Sequence, residues 1–211
     1  MMYFTEFVFL ERHLHLRESK EEQMGSKFIY GVHSNPIIAA VKNEDDLSKV
    51  LEYDCNVIFL LSGNVFSLHE TVSNLQSKNK TVFIHVDLID GISNDSYGLE
   101  YIVKKVKPDG IISTKGNLIQ AAKELGIFTI QRFFILDSLS YQRSIRGVKK
   151  YKPDAIEILP GIMHKITKSI KSNVNIPVIA GGLIKDKEDV ISALQAGAIA
   201  VSSTSHNIWS L

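Results

Sequence analysis

Eight short apolar runs, rich in β-branched residues, recur along this chain from Ile37 onward: PIIAAV, NVIFLL, TVFIHVDLI, GIIST, FTIQRFFIL, AIEILPG, IPVIAGG and AIAVSST. Between them lie segments whose apolar residues repeat at helical spacing, among them EDDLSKVLEY, YGLEYIVKKV, NLIQAAKELG and DVISALQAG. Strands alternating with helices imply parallel βαβ units. Eight units predict an α/β fold, a (β/α)8 TIM-type barrel; an open doubly wound sheet is the alternative. The punctuation agrees. LG and AG place a glycine at helix ends, where a left-handed cap residue is wanted, and KPDG, KPDA and NIP put proline at or before strand starts, where no ladder donor is required. At 211 residues the chain is short for a barrel, so its loops must be tight. The eighth run is followed only by HNIWSL, which predicts a short final helix, with N-terminal residues partly covering the gap.

The expected organisation is one barrel over 28–211 preceded by an extension over 1–27. That extension lacks the basic n-region and small-residue cleavage site of a signal peptide. His13 and His15 alternate with leucines there, a weak metal signal against the plainer reading of a poorly packed tail. Lys20-Glu21-Glu22 can be encoded as AAGGAGGAA, a purine-rich ribosome-binding sequence, which makes Met24 a candidate start. No apolar run has the length to span a bilayer, and the single Cys55 suits a reducing cytoplasm.

Barrel sites lie at the C-terminal ends of the strands. In TVFIHVDLID the period of two puts Phe83, His85, Asp87 and Ile89 on one face, opposite the aliphatic Val82, Ile84, Val86 and Leu88. The aliphatic face suits packing against helices, which leaves His85 and Asp87 inside near the rim. Glu157, between two isoleucines, is expected to point inward. Lys115 follows the fourth strand, and Gln131 and Arg132 lie on the fifth with their directions open. Buried charges need partners or a role, so these residues form either a mutually satisfied polar rim or a ligand site. Gly181-Gly182 and Ser202-Ser203-Thr204 end the seventh and eighth strands, the recurrent phosphate position of such barrels, and HNIW supplies the short helix. The competing reading is that small residues merely fit a crowded barrel mouth.

The motifs HVDLIDGISND, KPDGIISTKGNLI, IQRFFILDS, KPDAIEILPGIM and IPVIAGGLIKDKEDV resemble, in order, those of the glycerol uptake operon antiterminator family. The resemblance spans Ile37 to Trp209. It implies a barrel-shaped regulator that binds glycerol 3-phosphate and the leader mRNA of a glycerol operon, with no cofactor, no metal and no catalytic residue. The other class to weigh is a barrel enzyme acting on a small phosphorylated polyol or sugar: a phosphodiesterase, isomerase or lyase. His85, Asp87 and Glu157 would then hold a divalent metal or act as acid and base.

The net charge of +1 hides an asymmetry. Residues 138–171 carry eight basic residues against Asp154 and Glu157, a net +6, whereas residues 44–54 carry a net −4. Arg143, Arg146 and Lys150 share one face of the helix after the fifth strand, and Lys165 and Lys168 lie on the next helix, its expected neighbour. These five are the candidate RNA-phosphate contacts; the competing reading is a solvated outer face. Aromatics that stack bases are not interleaved with them, which leaves the specific contacts to a homo-oligomer or to the ligand-bound state.

Overall fold

The computed structural model describes residues 25–211. All eight predicted strands form: β1 (Ile37–Val41), β2 (Val57–Leu60), β3 (Thr81–His85), β4 (Gly110–Ser113), β5 (Phe128–Phe134), β6 (Ala155–Leu159), β7 (Val178–Gly181) and β8 (Ala200–Ser203). They close in chain order into one parallel barrel, with β8 paired back onto β1. Closure excludes the open doubly wound sheet. The helices are α1 (25–34), α2 (Glu44–Lys49), α3 (Leu68–Ser77), α4 (Ser96–Tyr101), α5 (Gly116–Glu124), α6 (Ser138–Tyr151), α7 (His164–Asn173), α8 (Lys187–Gln195) and α9 (His206–Trp209).

The barrel is economical because several crossings are minimal. Helix α2 has six residues followed by one 3-10 turn, and α9 has four. Gly126 and Gly197 take φ of +70° and +99° just after α5 and α8, as left-handed helix ends require. Two apolar layers result. Ile38, Phe59, Phe83, Ile130 and Ile179 fill the interior, while alternate residues such as Ala39, Ile58, Val82 and Val201 pack outward against helices.

Helix α1 covers the N-terminal end of the barrel. Phe28 is fully buried against Phe83 and Phe128, and Lys27 pairs with Asp109 just ahead of β4 at 2.7 Å. The boundary expected at 27 therefore falls inside a packed helix. Among the described residues the gap after β8 is covered from the C-terminus: the buried Trp209 ring packs edge-on against Tyr53, and its Nε1 donates to the Ser203 carbonyl at 2.6 Å. The expectations for His13, His15 and a start at Met24 rest at least partly on residues 1–24, which lie outside the described residues.

The alternation expected through TVFIHVDLID stops early. β3 ends at His85, and Val86–Leu88 form a 3-10 turn. Ile89 consequently joins the outer apolar cluster rather than the interior, and Leu88 is exposed.

Candidate ligand site at the barrel mouth

Phe128 and Ile130 belong to the interior, so strand alternation turns Arg132 inward as well. Gln131 turns outward beneath α6, where its Oε1 lies near Gly147. Arg132 stands opposite Glu157 in the β5–β6 register, and its Nε donates to Glu157 Oε2 at 2.5 Å. The second carboxylate oxygen accepts from the Ser202 hydroxyl. Glu157 is 1% exposed and Arg132 8%. Two charges so desolvated persist only when paired with each other and with further donors.

Gly181 makes this network possible. It lies on β7 between β6 and β8, and a Cβ there would fall 2.5 Å from Ser202 Oγ and 2.6 Å from Glu157 Oε1. The hydrogen bond from β8 to β6 crosses β7 through the space its missing side chain leaves. Gly182 has a separate reason: its φ is +76°, which few L-residues adopt, and the next contact for a side chain there is Leu159 at 3.1 Å.

These groups open onto a cavity of about 260 Å3 at the C-terminal ends of the strands. Its polar wall is Arg132, Glu157, Gly182, Ser202, Ser203, Thr204 and Ser205; Ala40, Leu61, Leu159, Leu183 and Ile184 complete it. Arg132 carries five N–H donors and, among the described residues, bonds through Nε to Glu157, which leaves the rest of its fork for an oxyanion. Hydroxyls on the β8 loop add donors that rotate to suit a ligand. The expected HNIW helix is α9, which follows directly from this loop with Ser205 as its N-cap.

His85 is buried inside the barrel, and among the described residues its Nδ1 has no hydrogen-bond partner; a carboxylate oxygen of Asp87 is 3.8 Å away. Burial, then the positive charge of Arg132, pushes its pKa down to about 4. Asp87 is held at the β3–β4 edge, where it accepts from Ser113 Oγ, Thr114 N and Thr114 Oγ1. Lys115 is exposed at the N-cap of α5. Thus Arg132, Glu157, Gly182 and Ser202–Thr204 share one cavity, Gly181 supports it from behind, and His85, Asp87 and Lys115 lie outside its lining. Sequence reasoning missed the apolar wall. Ala40 was within reach of it, since it falls on the interior face of β1; Leu183 and Ile184 were not, because they belong to a loop.

The five basic candidates are exposed on α6 and α7, and the two helices pack side by side. The two acids counted against them do not offset this surface. Glu157 is inside the barrel, and Asp154 is bound by Lys123 and Thr129.

Residues 37–209 match the model of the family described as glycerol-3-phosphate responsive antiterminator. The chain belongs to this family. It is 39% identical to the crystal structure of the glycerol uptake operon antiterminator regulatory protein from Listeria monocytogenes, covering 83% of this chain and 95% of that one with a TM-score of 0.80. A glycerol uptake operon antiterminator-related protein from Thermotoga maritima is 31% identical, over 82% and 96% of the two chains, with a TM-score of 0.71. The uncharacterized protein YgcP from Escherichia coli is 39% identical over 180 residues, 85% of this chain and 94% of its own. An aldolase at 15% identity and a TM-score of 0.66 shares the fold alone. Among the described residues of this antiterminator-family chain, no helix is long and apolar enough to cross a membrane.

Proposed function

We propose that this protein is a glycerol-3-phosphate-responsive antiterminator that binds the effector in the barrel-mouth cavity and the leader mRNA of a glycerol-metabolism operon on its basic helices. The observation that carries the reading is the buried Arg132–Glu157–Ser202 network on the wall of a cavity framed by the ends of β7 and β8. Its size, just under the range of drug-sized sites, suits a small metabolite. The phosphate lies on the Gly182 and Ser202–Thr204 side within reach of Arg132, and Glu157 accepts from the glycerol hydroxyls. Glu157 is already engaged by Arg132 and Ser202, which supports binding over proton transfer. RNA phosphates lie on Arg143, Arg146, Lys150, Lys165 and Lys168, which supply affinity and position.

The test is a gel shift of the leader RNA with and without glycerol 3-phosphate. Effector-dependent retardation is expected. Turnover of a glycerophosphodiester without RNA binding would replace this reading with the enzymatic one.

A further inference from the structure

The seam between α6 and α7 holds two cavities. One, of about 590 Å3, is lined by Ile135, Leu136, Tyr141, Met163 and Ile166 with polar neighbours; the other, of about 270 Å3, by Tyr141, Gln142, Ile145, Arg146 and Asn173. They share Tyr141 and Gln142, so they form one groove that starts at the loop after β5 and runs down the seam. Leu136, 83% exposed, lines the groove, and the adjoining end of β5 exposes Phe134 at 52% on the side of the barrel mouth. Apolar groups gathered at one place on a surface mark an interaction site.

The charges around the groove choose the occupant. Arg143, Arg146 and Lys150 on α6 and Lys165 and Lys168 on α7 are exposed, and none forms an ion pair among the described residues. The groove's own acid, Asp137, is engaged as the N-cap of α6 by the Ser140 backbone and hydroxyl, which hold its carboxyl below the usual range. A second copy docking the same face by two-fold symmetry would bring these cations against themselves. A single-stranded nucleic acid satisfies both parts of the surface: it is a polyanion whose unpaired bases present flat apolar faces.

We propose that the α6–α7 groove and the rim at Phe134 and Leu136 take unpaired bases of a single-stranded RNA whose phosphates lie on the cations of the two helices. This rests on the RNA-binding reading above and names how that RNA is held. The position also joins the two sites. Phe134 is paired in register with Leu159, and Ile135 N donates to the Leu159 carbonyl at 2.7 Å, while Leu159 itself lines the effector cavity. Bases held at this rim adjoin the ligand.

The experiment is fluorescence anisotropy of the full chain with a labelled single-stranded oligoadenylate and with a fully paired RNA duplex of equal length, over a series of salt concentrations. Phe134→Ala/Leu136→Ala truncates exposed groups only, and circular dichroism checks the fold. This variant is expected to bind the single strand about 5- to 150-fold more weakly, the range that losing a base stack gives, with the salt slope unchanged. Arg146→Gln/Lys168→Gln is expected to weaken single strand and duplex together and to flatten the slope. Parental affinity of the apolar variant for the single strand would overturn the proposal while leaving RNA binding intact. A parent that prefers the duplex, or an apolar variant that turns a dimer into a monomer, would overturn it too, the latter by assigning the groove to a second copy. A parent that binds neither these probes nor leader RNA would remove this proposal and the RNA-binding reading together.

Discussion

Glu157→Gln isolates the buried ion pair at the barrel mouth. The substitution preserves shape and one acceptor oxygen, so the Arg132 Nε bond at 2.5 Å has a carbonyl to go to. It removes the only carboxylate bonded to Arg132 among the described residues, and the Arg132 side chain is 8% exposed. Removing one partner of a buried pair costs about 3–5 kcal/mol, because the remaining charge keeps its desolvation penalty. Here the retained acceptor and the adjoining cavity of about 260 Å3, which admits water beside Arg132, place the cost at the lower end. A loss of about 3 kcal/mol in a chain of this size lowers Tm by roughly 6–12 °C, readable by calorimetry or urea unfolding. The companion variant, Arg132→Met/Glu157→Leu/Ser202→Ala, removes every member of the network. It is expected to recover to within about 1 kcal/mol of the parent, since an apolar replacement carries no unpaired charge. Both variants are expected to lose affinity for glycerol 3-phosphate, the triple one entirely. A Glu157→Gln protein as stable as the parent, or a triple variant no more stable than the single one, would refute the view that desolvated charge dominates this site.

Three further outcomes are expected. Gly182→Asp puts a side chain on a φ of +76° and a negative charge at the proposed anion site, so titration calorimetry is expected to show no glycerol 3-phosphate binding; parental affinity in a folded variant would displace the phosphate from this loop. Reversal of Arg143, Arg146 and Lys150 to Glu is expected to weaken leader-RNA binding strongly, make its salt dependence shallower and leave effector affinity unchanged, as gel shifts and calorimetry would show. His85 has its pKa lowered from 6.5 to about 4, so between those values the unfolded chain binds a proton that the folded one does not. Stability therefore falls as pH drops through that window and levels off below it; urea titrations of His85→Gln are expected to show a flatter decline over the same range.

Much of this protein was legible before its structure. Each of the eight strands follows from a short β-branched run between helical segments, because a parallel strand buried on both faces has no polar side to show. The inward direction of Glu157 and the glycine and hydroxyl ends of β7 and β8 follow from the period of two and from chain order alone. What the sequence left open depended on where strands stop and what stands across from them. Asp87 and Ile89 were placed by extending an alternation that the 3-10 turn at Val86–Leu88 breaks. The direction of Arg132 against Gln131 emerged only from the interior packing of Phe128 and Ile130. The basic face was readable as composition, yet its lack of compensating acid became clear only when Glu157 was found inside the barrel and Asp154 bound to Lys123.

The sequence by itself determined which segments are strands, which are helices and which strand ends carry polar groups, since those are properties of one segment at a time. Tertiary structure decided which of these groups meet. Pairing of β7 with β6 on one side and β8 on the other puts the three strands in one continuous wall, and the missing side chain of Gly181 lets Ser202 reach Glu157 across it. That contact joins residues 45 positions apart through a space that a single methyl group would close, and no local pattern encodes a distance of that kind.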